Sequence, residues 1–564
     1  MDQERPWLRF YEPHVPAHLD YPRTTLPALL KETARGRPDH PAMVFKGTVV
    51  SYRAFDEAVD RLAAALQRLG VQRGDRVAIH LPNCPQFPIA YYATLRVGGI
   101  VVPCNPLYTP RELTHQINDS GARVAITLSA TYPRIRQIRD RTPLRHVVVA
   151  RIKTYLPPLL RLLFSLFIER KAGHRVDISG DADTYWFTDL VARTPARPEP
   201  VEVDWNDTAV LMYTGGTTGV PKGAELTHGN LLANACQVKA WVGVREGQDR
   251  TLAALPLFHS YGMTMCMNAS VVSGGTMILV PDPRDTDDIL RTIHKYRPHY
   301  YPGVPAMYIA INNHPKVGRY DLTSLRACCS GAAPLPVEVQ QRFQELTGAR
   351  LVEGYGLSEA SPVTHSNPAF GENRIGTIGI PWPDTEARIV DVETGERVLP
   401  PGEAGELCVR GPQVMKGYWN RPEETARVLR PDPDGGLPWL YTGDIAIMDE
   451  DGYFRIVDRK KDLILGAGGF NIYPREIEEV LYQHPKVREA AAVGVSVPGK
   501  GERVKVFIVL KEGEQASEAE IVAFCRERLA PYKVPKFVEF RDDLPKTLVG
   551  KVLRRTLREE GTIG

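Results

Sequence analysis

The chain has 564 residues, of which 43% are hydrophobic and 24% are charged, as in an ordinary soluble globular enzyme. A single hydrophobic core stops growing at about 250 to 300 residues, so a chain of this length is expected to form at least two domains. The 70 basic residues against 67 acidic residues give a formal net charge of only +3, which is too balanced for a protein that binds nucleic acid.

The first hundred residues alternate between helical and strand patterns. Apolar residues recur on one helical face over 52–69, and Gly70 follows as a helix C-cap. A buried strand is predicted at 77–81, a helix at 86–97 and a second short strand at 99–102. Alternation of this kind favours an α/β layer with largely parallel strands.

The segment 151–175 breaks this pattern, because the run 159–168 is apolar apart from two residues and has basic residues on both sides. A helix of that length reaches about 15 Å, half of a bilayer core, so it cannot span a membrane. Two interpretations stay open: a helix in the membrane interface with basic residues facing lipid phosphates, or a core or lid helix. The basic residues concerned are Arg151, Lys153, Arg161, Arg170 and Lys171.

The most informative stretch is 213–228, which reads YTGGTTGVPKGAELTH. A strand is predicted at 208–213, and the loop after it is rich in glycine and threonine. Glycines let the backbone approach a ligand closely, threonine hydroxyls can donate hydrogen bonds or reach a metal, and Lys222 supplies a mobile positive charge. Such a loop suits phosphate, with an ordinary turn as the alternative. Pro221 excludes a Walker A loop.

A histidine and a methionine-rich run follow this loop. Met263, Met265 and Met267 are typical of flexible core filler, although they would also suit the adaptable wall of a binding cavity. His259 lies in an apolar context, where a structural histidine is more common than a functional one. Both interpretations therefore stay open for each of these side chains.

Two later strands run into loops of small residues, at 328–336 and 351–363. Tyr355 offers a flat face on which a purine could stack. Glu359 beside the hydroxyl of Ser358 offers oxygen ligands that suit magnesium, and a structural hydrogen-bond acceptor is the alternative. Further along, Asp444 follows a glycine turn, where it could accept both hydroxyls of a ribose or be an ordinary turn aspartate.

The last hundred or so residues are predicted to form a small α+β domain. The charged run 458–462 marks a candidate domain boundary before it. Ser517 with Glu520 three residues on forms a capping box for the second of two helices. The predicted helices span 474–483 and 517–529, and the predicted strands span 490–495 and 504–510.

The eight cysteines show no C-x-x-C spacing and no regular pattern. We therefore expect reduced, mostly buried thiols and neither a disulfide framework nor a zinc site. The first residues, MDQERPWLRFYEP, contain no apolar h-region, so no secretory signal is expected and a cytoplasmic location is predicted.

Five separated blocks agree in order and spacing with one family. The chain resembles the adenylate-forming (AMP-binding) superfamily, which contains acyl-CoA synthetases, luciferases and the adenylation domains of peptide synthetases. Within it the chain looks most like the bacterial long-chain fatty acyl-CoA synthetases. The blocks are YTGGTTGVPKG at 213–223, EGYGLSE at 353–359, YTGD at 441–444, GYFRIVDRKKDLI with GFNIYPREIE at 452–478, and PKTLVGKVLRR at 545–555.

The resemblance implies an α/β fold with two domains. Residues 1–460 would form a large N-terminal domain of two α/β subdomains and a β-barrel-like part, and residues 461–564 a small mobile α+β domain. The implied reaction activates a medium- to long-chain fatty acid with ATP and magnesium to an acyl-adenylate. Coenzyme A would then take the acyl group, with AMP and pyrophosphate as the other products.

The resemblance also implies roles for residues in the matching motifs. Lys551 would bridge the substrate carboxylate and the α-phosphate, while Glu359 and Thr214 would hold magnesium. Asp444 and Arg459 would bind the ribose. The other nucleotide contacts would come from Gly215, Gly216, Thr217, Thr218, Gly219, Lys222, Gly331, Ala332, Ala333, Gly354, Tyr355, Gly356 and Ser358.

Two further roles concern the acyl substrate and the domain motion. His259 and Met263 would contact the acyl substrate, and Met263 would replace a tryptophan gate found in some long-chain enzymes. Lys461 would be the hinge between the two half-reactions. A peripheral contact of 151–171 with the inner face of the membrane, and a homodimer, are compatible with this assignment.

Three other functions are weighed against it. A fatty acyl-AMP ligase would deliver its product to the phosphopantetheine of a carrier protein and not to free coenzyme A. A ligase for an aromatic or amino acid would need polar side chains where this chain has methionines. A nucleotide-binding regulatory or membrane-docking protein would show no turnover, and the presence of both Glu359 and Lys551 disfavours it.

Overall fold

The computed structural model describes residues 5–214, 221–433, 435–465, 471–497, 501–546 and 552–560. By their internal contacts the residues fall into two compact units. The larger unit comprises Leu8–Glu386 and Arg410–Leu440, and the smaller unit comprises Met1–Trp7, Ala387–Val409 and Tyr441–Gly564. The domain boundary between residues 460 and 461 stays a prediction.

The larger unit contains an eight-stranded sheet whose central strands are parallel. Apolar runs such as VAITL and HVVVA form these strands because parallel strands are buried on both faces. The last two strands at one edge pair antiparallel. In sheet order the strands are Gly417–Tyr418, Lys222–Thr227, Thr208–Thr214, Ile100–Pro103, Arg76–His80, Val124–Leu128, His146–Ala150 and Thr184–Trp186.

A nine-stranded sheet in the same unit is also parallel through its centre. Antiparallel strands close both of its edges. The α/β layer predicted from the alternation of elements is therefore confirmed. In sheet order the strands are Ile380–Pro381, Val363–Ser366, Arg350–Gly356, Ala327–Ser330, Tyr300–Gly303, Arg250–Ala253, Thr276–Leu279, Pro41–Phe45 and Thr48–Ser51.

The helix predicted at 52–69 forms as Tyr52–Arg68. The Ser51 hydroxyl caps it by accepting from the backbone N–H of Ala54, and its predicted apolar face is buried. Gly70 follows with a φ of +83°, the left-handed conformation expected just after a helix. Periodicity and capping thus predict this element to within a residue.

The remaining helices of the larger unit lie between and around the strands. Its α-helices are Leu26–Gly36, Tyr52–Arg68, Gln86–Arg96, Pro110–Ser120, Tyr132–Ile138, Pro158–Leu163, Phe187–Arg193, His228–Trp241, Ser260–Gly262, Ala269–Val272, Thr286–Tyr296, Pro305–Asn312, Val337–Thr347 and Pro422–Val428. Phe164–Ile168 and Met263–Asn268 are π-helices. Short 3-10 turns occur at Pro6–Phe10, Arg139–Arg141, Ile152–Tyr155, Val317–Arg319 and Ser358–Ala360.

The remaining described strands form three smaller sheets. Ile464–Leu465 pairs with Asn471–Ile472, and Val487–Val497, Gly501–Leu510 and Phe537–Phe540 form a three-stranded sheet. A five-stranded sheet contains Glu386–Val390, Gly405–Arg410, Trp439–Met448, Leu429–Arg430 and Phe454–Arg459. The helices are Lys460–Asp462 (3-10), Pro474–Tyr482, Glu518–Arg526 and Arg554–Glu560.

The predicted α+β character of residues beyond 460 is confirmed in these elements. The second predicted helix ends at Arg526, three residues before the predicted end at Leu529. Leu529 is nevertheless buried, which explains why its apolar side chain extends the helical pattern. Only half of the predicted capping box forms: the Ser517 hydroxyl accepts from the N–H of Glu520, but the Glu520 carboxylate pairs with Lys486 at 2.8 Å.

The structure decides against the core helix weighed for the segment 151–175. This segment contains the helix Pro158–Leu163 and the π-helix Phe164–Ile168, and none of their side chains is buried. A core helix is therefore the wrong interpretation, while the lid helix and the interfacial helix stay predictions. Among the described residues no helix is both long and apolar enough to cross a bilayer.

All eight cysteines are free, and seven of them are buried. The burial predicted for these thiols is therefore confirmed. Burial raises the pKa of Cys329 to about 11, with the Tyr261 hydroxyl partly opposing this shift. A thiol with so high a pKa is protonated at neutral pH and is a poor nucleophile.

Candidate active site

The Gly/Thr motif lies on an antiparallel hairpin at the edge of the eight-stranded sheet. Its strands are Thr208–Thr214 and Lys222–Thr227, and Thr214 and Lys222 are directly paired across them. The hairpin brings the threonine hydroxyl and the lysine to the same end of the two strands. Residues Gly215, Gly216, Thr217, Thr218 and Gly219 of the predicted phosphate loop lie outside the described residues.

A short third strand places Tyr418 beside this hairpin. Gly417–Tyr418 pairs with Lys222–Thr227, so that Tyr418 lies opposite Ala224. The N–H of Trp419 continues the pairing by donating to the Gly223 carbonyl at 2.8 Å. As a result the Tyr418 ring centroid lies 5.3 Å from the Lys222 ammonium, within cation–π range.

Glu359 reaches the same place from the nine-stranded sheet. Its turn, Ser358–Ala360, packs against both strands of the hairpin. The Tyr418 hydroxyl donates to Oε1 of Glu359 at 2.8 Å, and the N–H of Met415 donates to the Glu359 carbonyl at 2.8 Å. Burial, and then the Glu359 charge, raise the pKa of Tyr418, so its hydroxyl stays protonated and holds the carboxylate in place.

The Lys222 ammonium forms an ion pair with the carboxylate of Glu424. Burial, and then the neighbouring Arg427, lower the pKa of Lys222, and the Glu359 carboxylate partly opposes this shift. Arg421 also lies close, 3.8 Å from Glu424. Three cations therefore meet two carboxylates beside the tip of the hairpin.

A second pair of hydrogen bonds fixes the base of this cluster. Asp119 accepts from the Tyr213 hydroxyl at 2.7 Å and from Nη2 of Arg421 at 2.8 Å. Burial and the Asp119 carboxylate raise the pKa of Tyr213. Tyr213 is thereby locked in the strand that leads into the Gly/Thr loop, and Arg421 is held beside Lys222.

The two small-residue stretches predicted to hold the adenine lie at the carboxyl ends of two neighbouring strands in the nine-stranded sheet. Ala327–Ser330 and Arg350–Gly356 are parallel neighbours, with Ser330 paired to Glu353. Gly331 therefore lies just after its strand, whereas Gly354, Tyr355 and Gly356 still belong to the neighbouring strand and pair with residues 363–366. The two stretches lie side by side because Ser330 and Glu353 are paired. In open α/β sheets, ligands bind outside the carboxyl ends of the strands.

These loops contain unusual backbone conformations. Ala332 has a φ of +69° and Ser361 a φ of +71°, which non-glycine residues rarely adopt. A Cβ on Gly356 would lie 2.1 Å from the Pro362 carbonyl oxygen, so no larger residue fits there. Strained backbone of this kind is concentrated at functional sites.

Tyr355, the predicted purine platform, is partly exposed. Its ring meets that of His365 edge-on, with the centroids 6.1 Å apart. Burial lowers the pKa of His365 to about 3, so this histidine is a neutral support. Ser358 lies 3.2 Å from Ser260 between hydroxyl oxygens, which joins this loop to the one that contains His259.

His259 and Met263 flank a short helix, Ser260–Gly262. Nδ1 of His259 accepts from the N–H of Tyr261 at 3.3 Å and caps this helix. Met263 is fully buried in the π-helix that follows. The cap supports the structural interpretation of His259, and its predicted contact with the acyl substrate stays a prediction.

A narrow apolar cavity of about 40 Å³ lies next to the loops at the sheet edge. Its wall includes Met265 from the π-helix, Val238 and Trp241 from the helix His228–Trp241, and Cys329 from the sheet. A Cβ on Gly354 would lie 2.8 Å from the sulfur of Cys329. The cavity therefore begins directly beside the candidate adenine loop.

In the smaller unit, the two residues predicted to bind the ribose lie together. Asp444 and Arg459 are paired across two antiparallel strands, and Nε of Arg459 lies 3.1 Å from Oδ1 of Asp444. Thr442 Oγ1 accepts from the Asp444 N–H at 3.1 Å. Lys461 lies in the turn Lys460–Asp462, but its side chain and the whole of Lys551 are outside the described residues.

The chemistry of the larger cluster fits magnesium. Glu359 offers a carboxylate and Thr214 a hydroxyl, and oxygen ligands of this type are those that magnesium prefers. Within the described ranges no group of three or more His, Cys, Asp or Glu side chains could hold a metal ion. Magnesium here would therefore be shared between Glu359, Thr214, water and the phosphates of a nucleotide.

The sequence was compared with models of known protein families. The sequence matches the AMP-binding enzyme family over residues 30–419 and the AMP-binding enzyme C-terminal domain over residues 476–551. The chain belongs to the AMP-binding enzyme family.

Relatives of this AMP-binding enzyme match over the full length. It is similar to the long-chain-fatty-acid–CoA ligase of Bacillus subtilis (strain 168), with 48% identity over 100% of this chain and 99% of the relative. The ligase of the same name from Salmonella typhimurium is 43% identical over 98% of both chains. Among solved structures, ATP-bound MatB from Rhodopseudomonas palustris superposes with a TM-score of 0.82 at 31% identity, covering 96% of this chain and 99% of that one. The fold class predicted from the sequence is confirmed.

Several residues of the cluster were missed by the sequence analysis. Tyr418 and Glu424 contact Glu359 and Lys222, and Asp119 holds Tyr213. The run that contains Tyr418, GELCVRGPQVMKGYW, lies within residues 30–419, which match the AMP-binding enzyme family. Asp119 has no comparable signal, because it ends an ordinary amphipathic helix.

Proposed function

We propose that this AMP-binding enzyme is a long-chain fatty acid–CoA ligase. It activates a medium- to long-chain fatty acid with ATP to give an acyl-adenylate and pyrophosphate, and then transfers the acyl group to coenzyme A with release of AMP. The observation that carries the proposal is the meeting of Lys222, Glu359 and Tyr418 beside the Gly/Thr hairpin. The 48% identity to a ligase of this name supports the substrate class.

In the first step a carboxylate oxygen of the fatty acid attacks the α-phosphorus of ATP. An acyl–O–P bond forms, and the bond between the α-phosphorus and the bridging oxygen breaks, so pyrophosphate leaves. Two anions must approach each other, which requires a site dominated by positive charge. Thr214 and Lys222 hold the phosphates, and Lys551 bridges the carboxylate and the α-phosphate.

Magnesium, held by Glu359 and Thr214, supplies further positive charge to the phosphates when it is bound. Tyr418 keeps the Glu359 carboxylate aimed at that position through its 2.8 Å hydrogen bond. Lys222 must leave Glu424 to reach a phosphate, since it forms an ion pair there in the structure. The pair thus holds the ammonium in a largely buried position beside the hairpin until a nucleotide arrives.

In the second step the sulfur of coenzyme A attacks the carbonyl carbon of the acyl-adenylate. The new C–S bond replaces the C–O bond to the phosphate, and AMP leaves with the thiol proton passing to solvent. Rotation of residues beyond the hinge Lys461 removes Lys551 and admits coenzyme A. Neither step requires a nucleophile from the protein.

The acyl chain is assigned to the apolar cavity beside Cys329. A cavity of about 40 Å³ is far smaller than the roughly 300 to 1,000 Å³ of an ordinary ligand pocket, so the acyl chain must widen it on binding. Met265 on its wall is suited to this, because methionine is unbranched and repacks readily. The assignment therefore requires side chains of this wall to rearrange when a long apolar chain binds.

An endpoint assay tests the proposal. Purified protein is incubated with ATP, magnesium and fatty acids of increasing length, with and without coenzyme A, and AMP, pyrophosphate and thioester are measured. We expect thioester formation that depends on coenzyme A and is greatest at one range of chain length. Adenylate and pyrophosphate without thioester would instead indicate delivery to a carrier protein, and activity with aromatic acids alone would overturn the substrate assignment.

Replacing Glu424 with glutamine is expected to lower the KM for ATP about fivefold, the effect of about 1 kcal/mol. The amide no longer competes with phosphate for the Lys222 ammonium, and one negative charge near the phosphates is lost. Steady-state kinetics at saturating fatty acid and coenzyme A measure this. The exposed neighbour Glu423→Gln is the matched control and should leave the KM unchanged; a KM for ATP that rises in Glu424→Gln would contradict the assignment of Lys222.

A further inference from the structure

The helical segment 158–168, here named the docking helix, presents its apolar side chains to solvent. The exposed fraction is 68% for Leu159, 56% for Leu162, 66% for Leu166 and 71% for Phe167. A surface helix of a globular protein normally turns such a stripe toward the core. The docking helix has the opposite orientation with respect to the described part of the chain.

Contacts on its other side hold this orientation. The Phe164 ring meets the His174 ring edge-on at 5.4 Å, and Lys153 forms an ion pair with Glu169 at 2.7 Å. Lys153 Nζ also donates to the Ser165 hydroxyl at 3.1 Å, and Arg161 donates to the Thr154 carbonyl at 2.8 Å. These contacts tie one side of the docking helix, and Glu169 just after it, to the neighbouring segments. The exposed apolar side chains therefore form a fixed face and not a loose end.

The segment that contains this apolar face is rich in positive charge. Residues 151–175 contain six basic side chains and one acidic side chain, whereas the whole chain has a formal charge of only +3. Arg170, Lys171 and Arg175 follow the docking helix and are exposed. Three other basic residues expected to face phosphate are engaged within the protein: Arg151 stacks over Trp186, Lys153 pairs with Glu169, and Arg161 donates to the Thr154 carbonyl.

We propose that the docking helix lies in the interface of a lipid bilayer that contains anionic lipids. Leu159, Leu162 and Phe167 enter the boundary between headgroups and acyl chains, and the cations after the helix contact lipid phosphates. An exposed apolar face that is followed by exposed cations is complementary to such a surface. The helix is too short to span the bilayer, so the contact is peripheral.

A second copy of the chain is a poorer occupant of this face. In a two-fold symmetric dimer the same patch meets itself, so one interface would gather the exposed cations of both copies, while Glu169, the acidic residue of 151–175, is already paired with Lys153. The bilayer offers the opposite charge. If the proposed function holds, docking also places the enzyme at the surface in which long-chain fatty acids dissolve.

Vesicle flotation of the full chain tests this proposal. Wild-type protein is expected to float with vesicles of phosphatidylcholine and phosphatidylglycerol. The double variant Leu162→Glu, Phe167→Glu should lose at least about tenfold in binding, because two apolar side chains that would enter the bilayer become charged. Leu437→Glu is the matched control, since Leu437 is 54% exposed elsewhere on the surface, and it should bind like wild type.

A second double variant separates the charge from the apolar contact. Arg170→Gln, Lys171→Gln should weaken binding to the anionic vesicles about tenfold or more and leave the weaker binding to pure phosphatidylcholine unchanged. The proposal is overturned if wild type does not float with anionic vesicles, or if Leu162→Glu, Phe167→Glu floats as wild type does. It is also overturned if sedimentation shows a dimer that this variant dissociates. Turnover of a water-soluble medium-chain acid should be equal in all these proteins, so loss of docking and loss of ligase activity are distinguished.

Discussion

Replacing Glu359 with glutamine is expected to slow acyl-adenylate formation about a hundredfold or more. The glutamine oxygen can still accept the hydrogen bond of Tyr418, so the local packing is kept. What is lost is the negative charge that an oxygen ligand brings to magnesium. Pyrophosphate exchange, measured over a range of magnesium concentrations, should show both the lower rate and a requirement for more magnesium.

Tyr418→Phe is the control for this change. It removes the donor at 2.8 Å from Glu359 but leaves the carboxylate, so the rate should fall less, by about tenfold, as for loss of a group that orients a metal ligand. Thermal unfolding should show that both variants remain folded. An exchange rate and a magnesium dependence that stay as in wild type for Glu359→Gln would contradict the role given to this carboxylate.

Local periodicity predicts elements that depend on neighbours in the chain. The helix Tyr52–Arg68 follows its pattern of apolar residues, and the α/β alternation predicts parallel sheets. The resemblance to the adenylate-forming family implies that Asp444 and Arg459 act together, and the structure places them 3.1 Å apart. The helix and the alternation of elements could be predicted because their patterns lie within short windows of sequence. The pairing of Asp444 with Arg459 follows from the family motifs.

The cluster around Lys222 could not be predicted in the same way. Tyr418 reaches Glu359, 59 positions away, through a strand of only two residues, which is too short to have a periodicity. Glu424 follows that strand, and its pair with Lys222 depends on the same strand pairing. Contacts between distant segments are set by sheet topology, and the sequence of either segment alone does not contain it.

The docking helix illustrates a different limit. The apolar run 159–168 predicts a helix with an apolar face, but periodicity does not say what that face meets. A core helix and an interfacial helix have the same pattern here. The exposure of Leu159 and Phe167 decides against the core, because it shows where the rest of the chain lies in relation to the helix.

Replacing Lys551 with alanine is expected to separate the two half-reactions. Formation of the acyl-adenylate should fall about a hundredfold or more, since a preorganised cation between the carboxylate and the α-phosphate is lost. Thioester formation from a supplied acyl-adenylate should be unchanged, because in the proposed mechanism Lys551 has left the site before coenzyme A attacks. Rapid-quench measurements of each step on the same protein give the two rates.

Lys546→Ala provides a matched lysine from the same tail. Its ammonium pairs with Glu489 at 2.6 Å and with Asp543 at 3.2 Å on the surface of the smaller unit, and such pairs contribute about 1 kcal/mol or less. Both half-reactions should therefore proceed at wild-type rates in this variant. Equal losses in the two half-reactions of Lys551→Ala would mean that Lys551 supports the fold or binds a group common to both steps. A loss confined to adenylation instead places its charge between the two anions that must meet there.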